Sequence, residues 1–175
     1  DTDRTRFVEG AIENLIRTLH VMGIHYDEGP DKGGPYSPYL QSQRTELYLR
    51  YAQLLIEKGE AYYCFCTSER LEKMRKSQET ANQQPKYDGT CRDLADTKIK
   101  QNLGKGIPRV IRLKMPQTGE SKFNDLIRGE VTIQNELTDD QILIKSDGFP
   151  TYHLANVVDD HFMKITQVIR GEEWL

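Results

Sequence analysis

The chain has 175 residues, 37% hydrophobic and 29% charged, which is one ordinary domain or one domain with a modest insertion, long enough to bury a substantial core. Its longest apolar runs, such as Leu54, Leu55 and Ile56, fall far short of the roughly 20 residues of a membrane span, and no signal peptide is read in its first residues; neither a membrane protein nor a secreted knot is expected. The net charge of −3 excludes a globally basic nucleic-acid binder. The charge is uneven, however. Residues 61–110 carry ten Lys/Arg against six Asp/Glu, between flanks with seven against ten and seven against eleven. That local excess is either a patch for a polyanion or a solvated helical face. The abrupt start at Asp1 and end at Leu175 lead us to expect a piece of something longer.

Val8, Ala11, Ile12, Leu15, Ile16 and Leu19 recur at helical spacing and predict an amphipathic helix over residues 8–22, stopped at Gly23. A Gly- and Pro-rich loop follows over 28–39. Ser42 can cap a second helix, running to Lys58 with Leu47, Tyr51, Leu54 and Leu55 inward and ended by Gly59. Residues 61–66 are apolar and aromatic and read as a strand. Thr67 caps a charged helix to about Ser77. Residues 78–90 read as loop, and a short helix is expected near 94–103. Residues 109–115 alternate Val110, Arg112 and Lys114 with Ile111, Leu113 and Met115, a strand with one dry face. Strands are expected over 126–133 and 141–145, with a turn at Asp147-Gly148. A helix over 152–162 and a buried strand over 165–170 complete the chain. This order predicts an α/β scaffold, residues 1–61 and 152–175, interrupted by an α+β insertion over 62–151.

All three cysteines fall in that insertion: Cys64, Cys66 and Cys91. An odd count without a secretory signal fits a reduced compartment. Two thiols two apart and one distant thiol can converge on a tetrahedral zinc, which takes sulfur at about 2.3 Å and four ligands in structural sites. Asp93, two residues past Cys91, and Tyr87, four before it, are the candidates for the fourth place. The alternative is three buried cysteines acting as small apolar residues.

A second polar group lies near the C-terminus. Tyr152 and Asn156 share one helix face, while Leu154, Val157 and Val158 point to the core. Arg170 ends the predicted strand, with Glu173 and Trp174 after it. Strand ends of open α/β sheets are where ligands bind, and a guanidinium there can clamp a carboxylate. The alternative is a surface helix with an ion pair at Arg170. Asp159, Asp160 and His161 diverge around the helix and make a poor metal set. At the N-terminus, the charges of residues 1–6 serve either a helix start or phosphate contacts through Arg4 and Arg6.

The strings D-T-D-R-T-R at 1–6, Q-S-Q-R at 41–44, Y-C-F-C at 63–66, Y-D-G-T-C-R at 87–92, K-S-D-G-F-P-T-Y-H-L-A-N-V-V-D-D-H at 145–161 and G-E-E-W-L at 171–175 resemble glutamyl-tRNA synthetase of the bacterial and organellar type. The resemblance covers essentially the whole chain. It implies an α/β, Rossmann-like class I synthetase catalytic fold, here partial, with the insertion as an acceptor-stem-binding domain. It implies ATP-dependent attachment of glutamate to tRNA(Glu) through glutamyl-adenylate, with Mg2+ accompanying ATP, in the cytoplasm or an organellar matrix. By position it assigns Tyr152, Asn156, Arg170 and Glu173 to glutamate, Trp174 to ATP, Asp3 and Arg6 to the tRNA terminus, and Cys64, Cys66, Cys91 and Asp93 to zinc. In the family Asp93 is often His. The family's H-I-G-H-type and K-M-S-K-type motifs are expected on either side of these residues, so this piece alone is expected to be inactive. Two rivals are a glutamyl-queuosine tRNA(Asp) synthetase and a zinc-dependent RNA-binding module without ligase activity.

Overall fold

The computed structural model describes Thr2 and residues 8–171. Asp3, Arg6, Glu173 and Trp174 therefore lie outside the described residues. Helices α1 (Ala11–Val21) and α2 (Thr45–Glu57, entered through a 3-10 turn at Gln41–Arg44) precede strand β1 (Ala61–Cys64). Then come α3 (Ser68–Thr80), α4 (Asp96–Gly104), β2 (Val110–Leu113), β3 (Glu120–Asp125), β4 (Gly129–Gln134), β5 (Ile142–Ile144) and α5 (Tyr152–Phe162). Gly23 and Gly59 close α1 and α2 at φ 70° and 76°. In each, the next residue's N–H reaches back five residues, Ile24 to Leu19 and Glu60 to Leu55, a left-handed cap that glycine adopts without steric cost. Thr67 caps α3 by accepting the Arg70 N–H.

Strand β2 is central in an antiparallel sheet ordered β1-β2-β5. Successive residues of a strand point to opposite faces, and both faces are covered. Ala61, Ile111 and Ile144 join Tyr48 and Ala52 of α2 and Leu154, Ala155 and Val158 of α5 in the main core. This core crosses residues 61/62 and 151/152, where the sequence reading divides the chain. Tyr62 and Cys64 turn the other way and pack with Tyr87 and Cys91 in a second cluster. Arg112, paired with Tyr62 across the sheet, lies among the buried residues at 3% exposure. The expected single dry face is thus corrected: a strand covered on both sides has no wet face to offer.

Asp159 of α5 is the buried polar centre of the helical side. Its carboxylate accepts from Arg44 Nε at 2.8 Å, Gln41 Nε2 at 3.0 Å and the Tyr48 hydroxyl at 2.8 and 2.9 Å. Arg44 Nη1 also donates to the carbonyls of Tyr36 and Pro38, both at 3.1 Å. Burial first, then the bond to Asp159, pushes the Tyr48 hydroxyl's pKa upward, so it stays a donor.

The structure differs from the sequence reading in further places. Ser42 lies within the 3-10 turn, and the N-cap position of α2 is Arg44, with no side-chain cap. Leu54 is exposed, and the buried residues of α2 are Tyr48 and Ala52. Residues 126–128 are the turn of a β3–β4 hairpin, not the start of a strand, and β3 was not anticipated. Asp125 causes this: its Oδ1 accepts the N–H groups of Ile127 and Arg128, both at 2.8 Å. Residues 165–170 form no strand, and Ile169 is 95% exposed. A strand needs a neighbour for its backbone groups, and no described strand lies beside this segment. Val157 is exposed, while Leu154 and Val158 are core as expected.

Removing one partner of a buried ion pair leaves an uncompensated charge, at a cost of about 3–5 kcal/mol. Asp159→Ala should lower stability by that amount in urea unfolding of the chain. Tyr48→Phe, which removes a single neutral donor, should cost about 1–3 kcal/mol.

Candidate functional site

The sulfur cluster is assembled from three places. Strand alternation leaves Cys64 on the second face, and Cys66 follows two residues later. Cys91 arrives on the 90–93 turn, which α3 holds through Arg70: its Nη2 contacts Asp88 and Thr90, and Asp88 Oδ1 accepts from the Thr90 hydroxyl at 2.8 Å. The three sulfurs all lie within 4.8 Å of one another, Cys66 and Cys91 at 3.6 Å. Tetrahedral zinc with bonds of about 2.3 Å places its sulfurs roughly 3.8 Å apart, so the arrangement fits such an ion with little movement. The Tyr87 hydroxyl is 3.4 Å from Cys64 Sγ and 3.3 Å from Cys66 Sγ, and it accepts the Cys91 N–H at 3.0 Å. It is the oxygen that lies against the sulfurs. The structure does not bring Asp93 there: its side chain is 81% exposed and pairs with Lys114 Nζ at 3.0 Å.

The cluster's electrostatics are those of a shared proton set. A bond from Cys91 lowers the Cys64 thiol's pKa, assisted by Tyr87 and Arg112 against the opposing effect of burial. The same bond to Cys64 raises Cys91, and burial adds to it. Burial, then the bonds to the thiols, raises Tyr87. Two guanidinium groups flank the set: Arg70 Nη1 donates to Cys66 Sγ at 3.4 Å, and Arg112 lies 4.1 Å from the Tyr87 ring centre.

On the helical side, the Thr151 hydroxyl donates to the Ile142 carbonyl and anchors the start of α5 on β5. Tyr152 opens α5, and the Arg170 guanidinium stacks on its ring at 5.1 Å. Asn156 follows one turn later, its Oδ1 accepting the Val157 N–H at 2.9 Å. Tyr152 and His153 line a cavity of about 330 Å³ together with Arg75, Arg112, Asp139 and Gln141. Arg170 is exposed rather than set at the end of a buried strand. Asp159 belongs to the Arg44 ion pair. Of the basic insertion residues, Arg70 pairs with Asp88, Lys76 with Glu72 at 2.7 Å, and Lys86 Nζ donates to the Glu136 carbonyl at 2.8 Å.

Sequence reasoning missed Arg112, Arg44 and Asp140. Asp140 accepts from the Tyr62 hydroxyl at 2.6 Å, Arg92 Nη1 at 2.6 and 2.7 Å and the Met115 N–H at 3.0 Å. A charged residue inside an alternating strand reads as solvent-facing; only the two-sided covering of β2 reveals Arg112. The Q-S-Q-R and D-D strings contained Arg44 and Asp159, but not their pairing across 115 residues.

The family model for the catalytic domain of class I tRNA synthetases (E and Q) matches residues 1–175. The chain belongs to that family, and its fold is part of the Rossmann-like catalytic domain of a class I synthetase. It is 56% identical to a glutamate–tRNA ligase of Treponema denticola and 55% identical to one of Clostridium tetani, with all of the chain covered in both cases and 35% and 36% of the relatives. A crystal structure of a glutamate tRNA ligase from Elizabethkingia meningosepticum in complex with its amino acid superposes with a TM-score of 0.93 at 41% identity, over 99% of this chain and 36% of that one. The glutamate-tRNA synthetase of Elizabethkingia anophelis gives the same score and identity. The chain thus spans about a third of the length of the relatives it matches. Among the described residues, no helix is long and apolar enough to cross a membrane.

Proposed function

We propose that the full-length enzyme ligates glutamate to tRNA(Glu), activating it with ATP and Mg2+ as glutamyl-adenylate in the cytoplasm or an organellar matrix, and that this chain supplies part of the active site. The carrying observation is the identity of 56% and 55% to glutamate–tRNA ligases over the whole chain. These relatives lend no support to a glutamyl-queuosine synthetase or to an RNA-binding module without ligase chemistry. In this reading Arg170 receives the substrate side-chain carboxylate through its planar fork of donors. Tyr152 supports that guanidinium from below through the ring stack, and Asn156 and Glu173 complete the glutamate pocket. Trp174 contacts ATP, and Asp3 and Arg6 contact the tRNA terminus. Residues 62–151 form the arm that meets the acceptor stem, with residues 1–61 and 152–175 as catalytic scaffold.

The sulfur cluster is proposed to hold zinc on Cys64, Cys66 and Cys91, with the Tyr87 oxygen as the fourth ligand in place of Asp93. Such an ion would tie β1 to the 87–93 segment and supply structure rather than chemistry.

Three outcomes are expected. In the full-length enzyme, Arg170→Ala should weaken glutamate-dependent ATP–pyrophosphate exchange by about 2–5 kcal/mol in kcat/KM and leave ATP binding unchanged; normal glutamate kinetics would refute the pocket. The purified chain should carry one zinc. Tyr87→Phe should weaken its retention against a chelator, and Asp93→Ala should not; the reverse order would restore Asp93 as ligand. Neutralising Lys73, Arg75 and Lys86 together should weaken tRNA binding and flatten its dependence on salt, because each lost phosphate contact lowers the slope by about 0.7–0.9. An unchanged slope would return these residues to the solvated face.

A further inference from the structure

Arg112 is a buried guanidinium of the sheet's second face, and among the described residues no carboxylate pairs with it. It is 3% exposed. Its Nη1 donates to a neutral acceptor, the Asp140 carbonyl, at 2.7 Å. Its Nε is buried and has no hydrogen-bond partner. The nearby Asp140 carboxylate is already committed to Arg92, to the Tyr62 hydroxyl and to the Met115 N–H. Among the described residues, Arg112 makes no ion pair. By contrast, Arg44 is buried to a similar degree and faces a carboxylate at 2.8 Å. A buried cation without a counter-charge is expensive and is not retained by packing alone. What Arg112 does have is the sulfur cluster: its guanidinium stacks 4.1 Å from the centre of the Tyr87 ring, and the Tyr87 hydroxyl touches both Cys64 and Cys66.

We propose that Arg112 is a positioning residue for the metal centre, and that the metal-loaded cluster is the counter-charge its burial requires. This rests on the reading of the cluster as a metal site. Thiols bind metals as thiolates, so three of them on a divalent ion leave a net charge of −1 within the second cluster. Arg112 offsets that charge from the sheet side, and its stack on Tyr87 holds the phenol plane so that the oxygen stays aimed between the sulfurs. Outer partners of this kind orient metal ligands and tune affinity. Arg70 flanks the cluster from the other side, but it is partly exposed and already paired with Asp88, so its contribution is the smaller one.

The test compares unsubstituted chain, Arg112→Met, Arg112→Lys and Arg70→Met by competition of each against a chelator for zinc, by the visible spectrum of the cobalt-loaded form, and by urea unfolding of the metal-free form. Arg112→Met should lose roughly 10–100-fold in zinc affinity and show a cobalt spectrum changed in the tetrahedral bands. Its metal-free stability should not fall, because an uncompensated buried charge has been replaced by an apolar side chain of similar length. Arg112→Lys should recover part of the affinity, and Arg70→Met should lose less than Arg112→Met. Zinc affinity within twofold of the unsubstituted chain in both Arg112 variants would overturn the proposal. So would a fall in metal-free stability large enough to account for the lost affinity, which would make Arg112 a fold residue only. Failure of the unsubstituted chain to bind zinc or cobalt would remove the metal reading itself, and this inference with it.

Discussion

The helical side of the molecule turns on one carboxylate. Asp159 receives four hydrogen bonds from three side chains that belong to the 3-10 turn and α2. Through Arg44 it also reaches the backbone of the loop at Tyr36 and Pro38. An apolar contact between α2 and α5 would tolerate sliding; a buried ion pair with oriented donors does not, since any shift leaves a charge unsatisfied. Asp159 thus sets the register of α5 against α2, and with it the place of Tyr152 and Asn156 on the same helix. Gly34 contributes to the same loop: at φ 146°, with the Tyr39 hydroxyl and Glu28 against it, any side chain there would collide.

The sheet transmits this order to the sulfur cluster. Each of its strands is short, and β2 has no solvent face. Ile111 packs on the helices while its neighbour Arg112 faces Tyr62 and Tyr87. One strand therefore carries an apolar residue for one core and a charge for the other. The second cluster is too small to be held by apolar burial alone: two tyrosines and two cysteines form its buried part. Its cohesion comes from hydrogen bonds among Tyr87, the thiols and Arg70, and from Asp140 binding Tyr62 and Arg92. A metal crosslink is what small, loop-rich modules of this kind gain most from.

Much of this was legible in the residues, and the limits have physical causes. Helix α5 was read at its observed bounds because its start follows a turn and its apolar spacing is clean. The Thr67 cap and the Gly23 and Gly59 stops are local chemistry, and they held. The convergence of Cys64, Cys66 and Cys91 followed from spacing. What failed was whatever depends on a distant partner. Arg112 looked wet because alternation cannot tell a half-covered strand from a fully covered one. The hydrophobic pair Leu126 and Ile127 looked like strand because the Asp125 side chain, not hydrophobicity, decides the turn. Residues 165–170 have a strand's composition but no described neighbour to pair with. Asp93 has the sequence offset of a ligand, while its carboxylate pairs with Lys114 in solvent.

A cavity lies at the start of α5. Thr151 fixes that helix to β5, Arg112 lines the cavity from the sulfur side, and Tyr152 lines it from the helix side. Arg75 of the basic segment reaches the same cavity. The placement has a physical logic. Arg170 lies over the Tyr152 ring, a surface that orients a guanidinium plane without neutralising it. A cation stacked in this way keeps its in-plane donors free for a carboxylate, whereas one already in an ion pair would have to be pulled from its partner. The aromatic support therefore serves a residue whose proposed task is to tell a carboxylate from an amide, because discrimination by charge requires the full charge to be present before the substrate arrives.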